Sequence, residues 1–165
     1  VRWAALLGAL GETDTRRVLK RLRCSNVCIE ETAVLVRETA GESVCRSFSE
    51  EKASAHPGDI HIRQLLGQYG LCTVERLCAL CAALHPQNAP ECALAAQRAR
   101  QLEADGVCCR VSQLAVNGRD LMAAGIPAGP ALRRVLEALL DGVVRAEYPN
   151  EKPALLAAAQ KIIAS

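Results

Sequence analysis

Residues 114–136 read LAVNGRDLMAAGIPAGPALRRVL, and this stretch predicts two short helices joined by a glycine–proline turn. Asn117 is a good N-cap for the first helix, and Gly125 stands where a left-handed residue would end it. Gly129 gives the turn the backbone freedom of glycine, and Pro130 suits the first position of the second helix. We therefore expect a helix-hairpin-helix-like turn in this part of the chain.

The start of the second helix is a candidate binding site for a phosphate. Backbone N–H groups point outward at such a position, and two arginines follow one turn later. Taken alone, a turn of this kind is more often an ordinary helix–helix connection. The candidate contacts in this stretch are Asn117, Gly118, Arg119, Gly125, Gly129, Arg133 and Arg134.

The composition favours an all-α fold. Hydrophobic residues make up 50% of the 165 residues and aromatic residues only 2%, so the core must be built from leucine, alanine and valine. Strong helix formers dominate, whereas β-branched and aromatic clusters are few. We expect a multi-helix body over residues 1–105 and a small helical tail over residues 106–165, divided at the turn signal Asp105–Gly106.

Apolar residues recur with a helical period along both regions. Helices are expected over residues 2–10, 14–23, 26–39, 59–68, 73–84, 90–104 and 130–146, with a closing helix after residue 150. The expected N-caps are Ser25 or Asn26 for the third helix, Thr73 for the fifth and Asn150 for the last. The third helix is expected to bury Val27, Ala33, Val34 and Leu35. Residues 41–58 are the least periodic and predict a long connection or hinge.

The second helix carries a basic face. Its four cations are Arg16, Arg17, Lys20 and Arg21, and Val18, Leu19 and Leu22 lie on another face. Such a run is usually a solvated helix surface, and contact with RNA is the alternative. Duplex RNA is bound mainly through phosphates and 2′-hydroxyls, which require arginine and lysine but few aromatic residues. The composition therefore fits a structured RNA better than a single strand stacked on aromatic rings.

Nine cysteines are scattered through the helical patterns, which suits a reducing compartment better than a disulfide framework. Cys78, Cys81 and His85 have a spacing that could present metal ligands along one side of a helix. A zinc site, however, normally presents such a cysteine pair from a turn, and cysteine also behaves as a small buried hydrophobe. We therefore expect no metal site.

Charge and hydropathy exclude several classes of protein. The net charge of +2 is too small for a global field that attracts nucleic acid, so any contact with RNA must come from local basic patches. No apolar run approaches the roughly 20 residues that a membrane span requires, so we expect a cytoplasmic protein with no membrane partner. The chain opens at Val1 and its single methionine is Met122, which suggests a piece of a longer polypeptide.

Three segments resemble the C-terminal region of bacterial tRNA CCA-adding nucleotidyltransferases and poly(A) polymerases. Residues 114–136 fit the family pattern L-x-V-x-G-x-D-L-x-x-x-G-x-x-x-G-P-x-[IL]-x-x-x-L throughout. The closing segment Asn150-Glu151-Lys152 resembles the start of the last helix in that family. Residues 2–7, RWAALL, together with residues 18–26, VLKRLRCSN, resemble the start of the same region. The resemblance covers about half of the chain and leaves its middle poorly matched.

The resemblance implies a parent enzyme that adds C, C and A to tRNA 3′ ends from CTP and ATP with Mg²⁺. It implies that this region binds the acceptor–TΨC side of tRNA, and that a catalytic domain precedes it in the same polypeptide. The region itself is expected to need no cofactor. The pattern does not separate CCA addition from poly(A) polymerase activity, and a helical protein-interaction module without an RNA role is the other alternative.

No catalytic residue is expected in this chain. In several relatives and in His-Asp phosphohydrolases, the segment similar to residues 2–7 continues with His-Asp, whereas Gly8-Ala9 follows here. The glycine–serine segment and paired carboxylates of a nucleotidyltransferase catalytic domain have no counterpart. We therefore expect the chain by itself to be inactive.

Overall fold

The computed structural model of the protein describes residues 1–40 and 57–164, and every regular element in these ranges is helical. The all-α prediction is therefore confirmed. The helices are α1 (Arg2–Leu7), α2 (Gly11–Arg21), α3 (Asn26–Ala40), α4 (Pro57–Tyr69), α5 (Leu71–Leu84), α6 (Ala89–Ala104), α7 (Gly118–Ala123), α8 (Pro130–Val144) and α9 (Lys152–Ala164). Short 3₁₀ turns occupy Gly8–Leu10, Pro86–Asn88 and Val111–Gln113.

The chain forms two compact units, Val1–Asp105 and Gly106–Ser165. In the first unit, α2 packs on α3 and α5 packs on α6, while α3 also contacts α5. The fully buried side chains of this unit are mostly leucines: Leu19, Leu35, Leu66, Leu77, Leu80 and Leu102. None of the buried side chains described in this unit is aromatic, so leucines and other aliphatic or smaller residues fill its core.

The second unit is built around α8. Both α7 and α9 pack against this helix, as does the 3₁₀ turn Val111–Gln113. The largest of its completely buried side chains are Leu121, Leu139 and Leu155, one from each helix. Tyr148 lies over α8, where its hydroxyl donates a hydrogen bond to the carbonyl of Ala138 at 3.1 Å.

Several predicted boundaries and caps are wrong. The first predicted helix ends at Leu7 and continues only as a 3₁₀ turn, the second begins at Gly11, and α4 already begins at Pro57. Residues 41–56 of the predicted connection lie outside the described ranges. Thr73 lies inside α5, whose N-cap is Gly70 with φ +77°. Since glycine adopts this backbone conformation without strain, the helix can begin two residues earlier than the threonine signal predicts.

The predicted burial of Val27 is also wrong, since this side chain, in the first turn of α3, is 68% exposed. Leu22, which follows the end of α2, is likewise 54% exposed, although Leu19 on the same face is completely buried. Side chains at helix ends can point past the neighbouring helix, so a helical period alone overestimates their burial.

Candidate nucleic-acid interface

Asn117 caps α7 as predicted. Its side-chain oxygen accepts hydrogen bonds from the N–H groups of Arg119 at 2.8 Å and Asp120 at 3.1 Å. In return, the Asp120 carboxylate accepts the N–H of Asn117 at 3.1 Å, which completes a capping box. These N–H groups are therefore occupied within the chain. Gly118 is the first residue of α7, where no residue of the described ranges accepts its N–H, and the guanidinium of Arg119 beside it is exposed.

The turn between α7 and α8 has the predicted left-handed glycine. Gly125 has φ +95°, and its N–H donates to the carbonyl of Met122 at 3.0 Å. The N–H of Ile126 donates to Leu121 at 3.1 Å, and the Ile126 side chain is only 3% exposed. These two hydrogen bonds form a Schellman cap, and the buried isoleucine anchors the turn on the core of the second unit.

The start of α8 offers backbone donors. Gly129 is the N-cap with φ +129°, and Pro130 occupies the first turn, as predicted. Within the described part of the chain, no residue accepts the N–H groups of Ala128, Gly129 or Ala131. The space beside Gly129 is open, since a Cβ atom built there would meet nothing within 4 Å. A phosphate oxygen can therefore approach these donors.

Two arginines stand on the first turns of α8. The Arg133 side chain is 83% exposed and its Nε lies 2.8 Å from a Glu137 carboxylate oxygen, which raises the pKa of the arginine. Arg134 is exposed and forms no ion pair with any residue of the described ranges. An exposed pair of this kind contributes little to stability, so Arg133 can exchange Glu137 for another anion at low cost.

Beside these arginines lies a shallow groove of about 360 Å³. Its apolar walls are Val111 from the 3₁₀ turn and Leu132 and Leu136 from α8, with the Arg133–Glu137 pair at its edge. The groove places apolar surface next to the backbone donors at the start of α8.

Asn150 does not cap α9, contrary to the prediction. The carbonyl of Glu151 accepts the first hydrogen bond of that helix, from Leu155 at 2.9 Å. The Asn150 side chain instead accepts the N–H of Ala115 at 2.8 Å and donates to the carbonyl of Gln113 at 2.9 Å. It therefore ties the segment before α7 to the segment before α9.

A second tie joins α7 to α9. Lys152 Nζ lies 2.6 Å from a carboxylate oxygen of Asp120, and this ammonium group lowers the pKa of the aspartate. The other oxygen of Asp120 holds the N–H of Asn117, so the ion pair and the capping box share one carboxylate. Neither tie can be predicted from a local sequence motif, because each joins residues more than 30 positions apart.

The structure divides the basic face of α2. Arg16 forms ion pairs with Glu12 at 2.9 Å and with Glu30, and Arg17 lies 2.7 Å from Asp14. Lys20 and Arg21 are exposed and form no ion pair with a residue of the described ranges. Only the second half of the predicted face therefore carries cations without a carboxylate beside them.

Most of the described cysteines are buried, although Cys72 is exposed. Cys78 and Cys81 are buried within α5, and His85 follows the end of that helix. In residues 1–40 and 57–164, no three side chains of the metal-binding types come together. No helix in the same ranges has the length and apolar character needed to cross a bilayer.

Comparison with known proteins gives the family. The chain matches the family described as "tRNA nucleotidyltransferase domain 2 putative" over residues 1–159, and it therefore belongs to this family. It is also similar to a CCA-adding enzyme of Levilactobacillus brevis, with 58% identity over 45 residues. That match covers 27% of this chain but only 11% of the relative. No solved structure matches significantly. The resemblance drawn from the sequence motifs is thereby confirmed.

Proposed function

We propose that this chain is the tRNA-binding region of a CCA-adding nucleotidyltransferase. It positions the tRNA 3′ end for CMP and AMP addition by a catalytic domain of the same polypeptide. The observation that carries this proposal is the family match over residues 1–159. The similarity to a CCA-adding enzyme favours CCA addition over the alternative, poly(A) synthesis.

Positioning of the tRNA requires contacts that do not depend on its base sequence, because a CCA-adding enzyme must accept every tRNA. Contacts with phosphates meet this requirement, since they set the position and orientation of a nucleic acid without reading its bases. The exposed N–H donors at the start of α8, with Arg119, Arg133 and Arg134, suit such contacts. We assign them to the acceptor–TΨC side of tRNA, whose duplex presents phosphates in a regular array.

The chemistry of nucleotide addition belongs, in this proposal, to the catalytic domain. Mg²⁺, CTP and ATP would bind there, since the described residues contain no group of carboxylates able to hold a metal ion. This chain contributes by orienting the tRNA. Its 3′ end is then held in a reactive position at the distant catalytic site. We propose that the protein acts in the cytoplasm, which agrees with its many cysteines and a reducing compartment.

The first test is binding of bulk tRNA to the 165-residue chain in a filter-binding assay. We expect binding at low salt that weakens as the salt concentration rises, because phosphate contacts release counterions. Single-stranded poly(U) should bind more weakly, since the chain has few aromatic side chains on which bases can stack. A helical protein-interaction module would bind neither RNA, and that result would reject the proposal.

The second test is nucleotide addition. With CTP, ATP and Mg²⁺ supplied, the chain alone is expected to incorporate no label into tRNA that lacks its 3′ CCA. The physical reason is that nucleotide transfer proceeds by in-line displacement at a phosphate, and this reaction requires carboxylates that hold two metal ions. The Levilactobacillus brevis CCA-adding enzyme serves as the positive control. Incorporation above a no-protein blank would place catalytic residues in this chain.

A further inference from the structure

The connection between α2 and α3 holds Arg23 in a strained conformation. The N–H of Arg23 donates to Lys20 at 3.1 Å and the N–H of Cys24 donates to Leu19 at 3.1 Å, so a Schellman cap ends α2. Arg23 occupies the left-handed position of this cap with φ +56°. Glycine is the usual residue there, because a Cβ atom makes the left-handed conformation unfavourable.

The only other left-handed residue with a side chain in the described ranges is Ala146, with φ +58°. It occupies the same position in the Schellman cap of α8, where the N–H of Glu147 donates to Gly142 at 2.9 Å. The two sites share a backbone geometry but differ in charge. Ala146 is therefore a matched control for the backbone strain at Arg23.

Arg23 belongs to a group of three cations without carboxylate partners. Lys20, Arg21 and Arg23 are exposed, and none of them forms an ion pair with a residue of the described ranges. No acidic residue occurs between Asp14 and Glu30 in the sequence. Three positive charges therefore share one end of a helix without local neutralisation.

The helix dipole explains why some, but not all, of these three cations stand at the end of α2. A cation in the last turn interacts favourably with the helix dipole, which explains Lys20 and Arg21 without any ligand. It does not explain Arg23, because glycine at that position would complete the same cap without strain. Strain alone does not mark a binding site, since Ala146 has it too, but at the end of α2 the strained residue is an exposed cation beside two others, which points to a binding role.

We propose that Lys20, Arg21 and Arg23 form a second phosphate-binding patch for the tRNA backbone, here called the α2-end patch. This inference rests on the proposed tRNA-binding function and assigns to it a contact residue, Arg23. In this patch Arg23 lies exposed two residues beyond the last residue of α2. Arg16 and Arg17, on the preceding turns of α2, remain paired with Glu12 and Asp14 of the same helix and with Glu30 of α3.

The test is Arg23→Gly in the 165-residue chain. Relief of the backbone strain is expected to raise the melting temperature by about 2–4 °C. Loss of one phosphate contact is expected to weaken binding of bulk tRNA at low salt about three- to tenfold. It should also reduce the salt slope by about one unit. Arg23→Lys, which keeps the charge, should retain the salt slope of the parent chain.

Ala146→Gly is the matched control, because it relieves the same strain without removing a charge. It should raise the melting temperature and leave tRNA affinity and salt slope unchanged. A second variant of the patch combines Lys20→Gln with Arg21→Gln and leaves the Schellman cap at Arg23 intact. This variant should reduce the salt slope of tRNA binding by about two units.

The outcomes separate this inference from the function on which it rests. If the parent chain binds tRNA and Arg23→Gly binds with the same affinity and salt slope, the α2-end patch is rejected while the tRNA-binding function stands. If the parent chain does not bind tRNA, both are rejected.

Discussion

Gly142→Ala is expected to lower the free energy of unfolding of the second unit by about 2 kcal/mol. A Cβ atom at Gly142 would lie 2.0 Å from the Tyr148 hydroxyl oxygen and 2.1 Å from the adjoining ring carbon. The ring must therefore leave its place on α8 and lose its packing, along with the hydrogen bond to Ala138. This cost exceeds the gain of about 1 kcal/mol that alanine brings to a helix interior. Urea unfolding followed by circular dichroism measures the change.

The sign of the effect tests the packing argument. In a Tyr148→Ala background, the clash at Gly142 is absent and only the helix propensity remains. Gly142→Ala should there stabilise the protein by about 0.5–1 kcal/mol. Equal destabilisation with and without the tyrosine ring would show that the clash is not the cause.

Arg133→Ala combined with Arg134→Ala is expected to weaken binding of all tRNA species alike and to reduce the salt slope by about one to two units. The reason is that both arginines stand on the first turns of α8, near the exposed N–H donors, where Arg134 has no ion pair in the described ranges and Arg133 can exchange Glu137 for a phosphate at low cost. Stability should change little, since an exposed arginine on a helix contributes within about 0.5 kcal/mol. Filter binding at low and moderate salt gives the affinity and the slope.

Arg145→Ala is the control for the Arg133 and Arg134 variant. Arg145 is also exposed and also forms an ion pair one turn away, with Asp141 at 2.8 Å, but it follows the opposite end of α8. Its replacement should leave tRNA binding unchanged. If the double variant binds as well as the parent chain while its circular dichroism spectrum is intact, the start of α8 is not a tRNA contact. The α2-end patch would then be the next candidate.

The features predicted correctly are local ones. The cap at Asn117, the left-handed Gly125 and Pro130 in the first turn of α8 each depend on hydrogen bonds or backbone angles within about five residues. Local stereochemistry of this kind is written in adjacent residues, so a short motif can predict it. The prediction of Thr73 as an N-cap is wrong, because Gly70 is the N-cap and the helix already begins at Leu71.

The features that could not be predicted join distant parts of the chain. Asn150 has the residue type of a helix cap, yet its side chain bonds to Gln113 and Ala115. Arg16 belongs to a basic run, yet Glu30 on the neighbouring helix neutralises part of its charge. A local pattern carries no information on which distant group will lie opposite a side chain.

The sequence by itself determined the all-α fold, the family and the turn between α7 and α8, because composition, helical period and cap residues act over short distances. Only the tertiary structure decided the polar contacts between distant parts of the chain, such as the ion pair of Arg16 with Glu30 and that of Lys152 with Asp120. The pairs of Arg17 with Asp14 and of Arg133 with Glu137 lie within one helix, at a spacing that the sequence itself shows. The physical reason is that an ion pair requires two side chains within about 4 Å, and between two helices only their packing sets that distance.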